Sequence, residues 1–139
     1  MQTEYFTLEE MLATSTGLPN DPPAALLPKI EDTMRRMDEV REALGKPVRI
    51  TSGFRSPAVN LRIGGSRTSD HMLGCAVDFV CANMDPKDIC NVLLDAYIEF
   101  DQLIAEYRNG KRWVHIGFGT KMRRQVLTYR DGKYLTGLV

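Results

Sequence analysis

The sequence is sparing with the residues that most often do chemistry. Its 139 residues include two histidines, three cysteines and one tryptophan. Cys75, Cys81 and Cys90 are odd in number and have no CxxC spacing, which points to free thiols made in a reducing cytosol. There is no excess charge of either sign, since 18 basic residues face 18 acidic ones. That balance argues against a dominant polyanion partner, so no nucleic acid is expected. No apolar run approaches the length of a membrane span, and no membrane role is expected. The opening Met1–Phe6 lacks the basic-then-apolar pattern of a secretory signal. Internal repeats, low-complexity stretches and linkers are missing too, so residues 1–139 read as one domain. With 43% hydrophobic and 26% charged residues, the composition is that of an ordinary soluble globular protein able to bury a core.

Local patterns place the elements. Thr7-Leu8-Glu9-Glu10 is a capping box that opens a short helix. Asp21, followed by Pro22 and Pro23, is expected to cap a second. Leu27, Ile30, Met34, Met37, Val40 and Leu44 recur at three- and four-residue steps along one helical face. Pro28 bends or delays the start of that helix, and Gly45 and Pro47 end it. Val48–Thr51 alternates as a strand. Residues 53 to 70 show no periodicity and read as a long loop, which inside a compact domain usually has a functional reason. Ala76–Val80 is a short apolar strand carrying Asp78. Asp85-Pro86 caps another helix, with Ile89, Val92, Leu93 and Ala96 facing inward.

Two alternating runs, Gln102–Tyr107 and Arg112–Phe118, flank Asn109-Gly110, the preferred two-residue hairpin turn. If those two residues form the loop, Arg108 faces Lys111 and the register follows by counting. Glu106 then lies opposite Trp113, and Ile104 opposite His115. Cross-strand partners share a face, so Gln102, Ile104, Glu106, Trp113, His115 and Gly117 point one way. Leu103, Ala105, Tyr107, Val114, Ile116 and Phe118 point into the core, because a one-residue slip would invert the pattern. Asp131-Gly132 marks a last turn or hairpin.

The chemistry gathers in Ser69-Asp70-His71-Met72-Leu73-Gly74-Cys75-Ala76-Val77-Asp78 and in Trp113-Val114-His115-Ile116. Two imidazoles and one carboxylate are the protein half of a catalytic zinc site, with a coordination position left for water. His71, Asp78 and His115 are the candidate ligands. Cys75, between two of them, is more simply a small buried hydrophobe. The hairpin sets Glu106 diagonal to His115, roughly 7–8 Å away at Cβ, where a carboxylate can act as base and then acid in metal-assisted amide hydrolysis. A salt bridge with Arg108 or Arg112 is the competing reading of Glu106. Trp113 beside it walls the site or simply packs, and its apolar ring is expected to raise the carboxylate pKa. Arg55, at the end of a strand, is placed to hold a substrate carboxylate or stabilise an oxyanion. Ser69 either contacts His71 or a substrate amide, or shapes a turn. No His-Glu-x-x-His pair, Gly-x-Ser-x-Gly elbow or phosphate-binding glycine loop competes with this reading.

Read together, Ser52-Gly53-Phe54-Arg55-Ser56-Pro57-Ala58-Val59-Asn60, Gly64-Gly65-Ser66, the Ser69–Asp78 run and Trp113-Val114-His115 resemble the zinc D-Ala-D-Ala carboxypeptidases. That family includes the phage L-alanyl-D-glutamate endopeptidases, or endolysins, and the likeness is to its short single-domain form. It runs in order from Tyr5-Phe6-Thr7-Leu8 to Arg124–Thr128. The resemblance implies an α+β fold, a small antiparallel sheet flanked by helices, as in hedgehog and D-Ala-D-Ala peptidase domains. It implies zinc on His71, Asp78 and His115, with Arg55 contacting substrate and stabilising the transition state. Many members place the catalytic carboxylate three residues before the last histidine, where this chain has Arg112. Short phage-type members carry a glutamate in the preceding strand, and Glu106 fits. The expectation is a monomeric zinc peptidase acting on the peptide stem of bacterial peptidoglycan, with Glu106 and Arg55 catalytic and Arg55, Ser69 and Trp113 binding substrate. It would be made in the bacterial cytoplasm and reach the wall after holin-type release or in a virion. A zinc-containing binding or structural module of the same fold, without peptidase activity, is the rival reading.

Overall fold

Asn109 and Gly110 have φ of 51° and 77°, the backbone of a two-residue turn that matches the twist of its flanking strands. They join β3 (Gln102–Arg108) to β4 (Lys111–Gly117) in a computed structural model that describes all 139 residues. The ladder runs from Arg108 opposite Lys111, through Glu106 opposite Trp113 and Ile104 opposite His115, to Gln102 opposite Gly117. This is the register counted from the turn.

The hairpin lies in the middle of a six-stranded sheet. Its other members are β1 (Val48–Ser52), β2 (Ala76–Cys81), β5 (Gln125–Arg130) and β6 (Lys133–Thr136), in the order β1-β2-β4-β3-β5-β6. β2 pairs antiparallel with β4, so Asp78 sits opposite His115. β5 pairs parallel with β3, the one exception to the antiparallel sheet expected. The Arg124 and Gln125 amides donate to the carbonyls of Phe100 and Asp101, which starts β5 in the same direction as β3. Asp131-Gly132 turns β5 into β6.

One face of the sheet is apolar and carries the helices. Val77, Phe79, Leu103, Ala105, Val114 and Ile116 are each fully buried there. They share a core with Ile30, Met34, Met37 and Val40 of α2 (Leu27–Leu44) and Ile89, Cys90 and Leu93 of α4 (Pro86–Asp95). The Thr7 capping box opens α1 (Leu8–Leu12) as expected. Gly45, at φ 65°, closes α2 in the left-handed conformation that glycine tolerates.

Three local expectations need correction. Asp21 caps nothing. Each residue before a proline is pushed toward extended backbone, and α2 is entered through a short 3-10 turn, Ala24–Leu26, with no side-chain cap. Pro28 does stand in the first turn of α2. Residues 53 to 70 are not structureless, because Ser56 caps α3 (Pro57–Arg62), which is too short to show a periodicity. Ala96 does not face inward. The α4 helix stops at Asp95, leaving Ala96 exposed as its C-cap, while Cys90 takes the inward place.

Candidate metal centre

Opposite the helix-covered face, the same strands present polar side chains. Asp78 lies between Val77 and Phe79 on β2, and His115 between Val114 and Ile116 on β4. Strand alternation puts these neighbours in the core and the two ligand candidates outside it. His71 comes from a 3-10 turn, Asp70–Leu73, that packs beside β2. The Ser69 hydroxyl oxygen caps that turn by accepting the His71 amide, 3.2 Å away. Gly74 closes it at φ 76°, against Ile30, where any Cβ would meet the Ile30 side chain at 2.7 Å.

The three groups converge. The donor atoms of His71, Asp78 and His115 all lie within 4.8 Å of one another. His71 Nε2 is 3.2 Å from Asp78 Oδ1, and His115 Nδ1 is 2.9 Å from the same oxygen. The two rings meet edge to face at 5.2 Å. His71 Nδ1 is 2.7 Å from the Gly53 carbonyl. A carbonyl only accepts, so Nδ1 carries the proton and a neutral His71 turns its Nε2 lone pair toward a carboxylate. Lone pair facing carboxylate requires a proton or a cation between them. Two imidazoles and one carboxylate, with one ring oriented by a backbone carbonyl, make a donor set suited to zinc. The two distances to Asp78 Oδ1, 3.2 and 2.9 Å, are near the roughly 3.3 Å that tetrahedral geometry requires.

Electrostatics holds the group together. Burial would push the Asp78 carboxyl up, but the charge and hydrogen bonds that His71 and His115 offer it when protonated outweigh this and hold it well below the usual carboxylate range. His115 shows the reciprocal effect: burial opposes its charge, while the Asp78 hydrogen bond raises its pKa. Arg55 completes the shell. It donates to Asp78 Oδ2 at 3.0 Å, to Ser52 Oγ at 2.9 Å and to Asn60 Oδ1 at 3.4 Å. Only 12% of its side chain is exposed, and each guanidinium nitrogen already has a protein partner, one of them the ligand candidate Asp78.

Glu106 lies beside this group on β3. Its Oε2 accepts the Trp113 Nε1–H at 3.1 Å, and no ion pair forms with Arg108 or Arg112. Burial raises the Glu106 pKa, assisted by the negative charge of Asp78. The rise expected for a carboxyl beside the Trp113 ring is present, with burial as its main cause, while the indole N–H stabilises the charged form and works against it. Arg112, three before His115, alternates onto the opposite face and pairs with Asp85 at 3.1 Å, so the side chain at this position does not reach the metal group. Cys75 is buried apart, its Sγ toward the Asp70 carbonyl at 3.7 Å. Burial pushes its thiol up to about 11.

Arg55, Ser69, His71, Asp78, Glu106, Trp113 and His115 line one open cleft of about 600 Å³, together with Asp70, Gln102, Arg108, Arg123 and Tyr134. Sequence reasoning missed the Gly53 carbonyl, Ser52 and Asn60. Ser52, Gly53 and Asn60 stood in a recognisable run, yet nothing in spacing separates a buried orienting group from a solvated one. Gly53 has a physical signature after the fact, since a Cβ there would meet the Met11 carbonyl at 2.6 Å.

Such a His-Asp-His group, in a cleft on the open face of an α+β sheet, defines a candidate metallohydrolase centre. The sequence model of the family described as peptidase M15 matches residues 4–117. The chain belongs to the peptidase M15 family and is a metallopeptidase by that membership. The matched span contains every residue of the metal group, while β5 and β6 lie beyond it. No curated protein is a significant match to the chain.

Proposed function

We propose that the chain is a zinc peptidase that hydrolyses an amide bond in the peptide stem of bacterial peptidoglycan. The bond would be of the D,D-carboxypeptidase or L-alanyl-D-glutamate endopeptidase type. The observation that carries the reading is the convergence of His71, Asp78 and His115 beside a half-buried glutamate in one open cleft. His71 Nε2, Asp78 Oδ1 and His115 Nδ1 would hold the zinc. When bound, zinc polarises a carbonyl and acidifies water near neutral pH.

The protein's own side chains supply the rest. Glu106 Oε2 is occupied by Trp113, which leaves Oε1 to take a proton from the attacking water and return it to the leaving amine. The raised pKa of this half-buried carboxyl suits both halves of that transfer. Arg55 orients Asp78, and its remaining N–H groups at the cleft wall stabilise charge developing on the carbonyl oxygen. Trp113 walls the cleft, and the Ser69 hydroxyl is left to donate to a substrate amide. We place the protein as a monomer without nucleic-acid or membrane partners, consistent with its neutral charge. Its setting would be a phage lysis or virion-associated enzyme, made in the bacterial cytoplasm and reaching the wall by holin-type release or within the particle.

The test is digestion of purified peptidoglycan followed by mass spectrometry of the released muropeptides, alongside metal analysis. Stem cleavage that a chelator abolishes, and that Glu106→Ala removes without loss of zinc, is the expected result. Zinc binding with no cleavage would instead favour a binding or structural module of the same fold.

A further inference from the structure

Three arginines line the cleft: Arg55, Arg108 and Arg123. Two already have carboxylates. Arg55 pairs with Asp78, and Arg123 grips both oxygens of Asp101 at 2.8 and 3.0 Å. Arg108 has none, since no carboxylate oxygen lies within 4.0 Å of it among the ion pairs of the molecule. Lys111, opposite Arg108 on the same face, is likewise absent from them. Neither cation has a carboxylate in ion-pair contact, and Glu106 acts on Arg108 only from a distance.

The guanidinium is nonetheless held in place. It donates to the Tyr129 hydroxyl at 2.7 Å and lies 4.8 Å from the centre of that ring. Tyr129 is itself buried and packs edge-on against Tyr134 at 4.8 Å. Trp113, Glu106, Tyr129 and Tyr134 are successive register partners on β4, β3, β5 and β6, so they form one row beneath Arg108. A cation fixed on an aromatic ring gives up little freedom when it binds an anion. Arg108 follows Glu106 by two residues on one face, a rise of roughly 7 Å, or about two residues of extended peptide. The opposite end of the cleft offers Asp70 and an arginine already paired, so an anion has its best place at Arg108.

We infer that Arg108 binds a free carboxylate of the substrate one or two residues from the scissile amide. It thereby selects acidic stem peptides over their amidated forms. This rests on the peptidase reading and adds to it the class of peptide preferred.

The test uses a synthetic stem pentapeptide with both carboxylates free and two forms amidated singly, at the glutamyl carboxylate or at the C-terminus. Cleavage kinetics and calorimetric binding are measured for each with the wild type, Arg108→Gln and Arg108→Lys. One of the two amidations is expected to raise KM and Kd of the wild type on the order of tenfold, the size of one charge-assisted hydrogen bond. In Arg108→Gln that discrimination collapses toward one. Arg108→Lys keeps part of it, because a point charge remains while the planar fork is lost. Equal handling of all three peptides by the wild type, or unchanged discrimination in Arg108→Gln, overturns the assignment. Discrimination in binding without cleavage would sustain Arg108 and sink the peptidase reading.

Discussion

The two faces of the sheet are made by the same strands and have opposite contents. On β2, Val77 and Phe79 are fully buried against helices, while Asp78 between them reaches the cleft. On β4, Val114 and Ile116 are core and His115 is a candidate ligand. The buried core of the helix face contains no ionised group, the ion pair of Arg112 with Asp85 lying at the edge, and the cleft face gathers acids, bases and arginines. Alternation thus lets one segment serve stability and chemistry with little mutual interference. A substitution at one residue should change activity, and at the next should change folding.

The comparison predicts separable effects. The largest concerns His115→Ala, which removes a metal donor. Metal content should fall to background and all peptidase activity with it, while circular dichroism stays native; an active, metal-loaded variant would remove His115 from the ligand set. Next comes Glu106→Gln. Cleavage should slow by about 10²–10⁴-fold, the usual contribution of a positioned acid–base group, with metal content kept. A loss of metal there would make Glu106 a ligand and not the base.

On the other face, Ile116→Ala should cost about 2–5 kcal/mol of stability through lost burial and a residual cavity. The midpoint in urea reports this, and kcat measured well below the transition should stay near that of the wild type. If kcat fell in parallel, the faces would not be independent.

The smallest effect lies at the rim, where Asp101 accepts the Arg123 amide and guanidinium. The Arg123 hydrogen bond holds this carboxyl below its usual range. A depressed folded-state pKa stabilises the fold above the unfolded value, roughly 3.9, and that stability is lost as pH falls through the folded value. Asp101→Asn should therefore be less stable than the wild type at pH 7, and the gap should shrink at pH 3. A gap independent of pH would show that shape, not charge, matters at this position.

Much of the site could be read because its rules are local. The Asn109-Gly110 turn sets a register by counting, and that register carries Glu106 to the same face as His115. The capping box at Thr7 and the stripe from Ile30 to Leu44 are equally short-range. Other features could not be read in this way. Asp21 has the chemistry of a cap, yet the consecutive prolines after it decide the backbone. Arg55 stands in a motif, but its attachment to Asp78 joins residues 23 apart in sequence. The parallel pairing of β5 with β3 depends on a long return of the chain, and no local pattern encodes it.

The division follows from the range of the forces. By itself the sequence determined what repeats with a period or turns within a few residues: the helices α1, α2 and α4, the hairpin, and the alternation that separates Asp78 and His115 from the core. Only the tertiary structure decided which donors meet, that the Gly53 carbonyl assigns the proton on His71, and that Arg108 alone among the cleft arginines has no acid. Those facts depend on distances between groups far apart along the chain. Packing of the whole sheet sets such distances, and no spacing in the sequence records them.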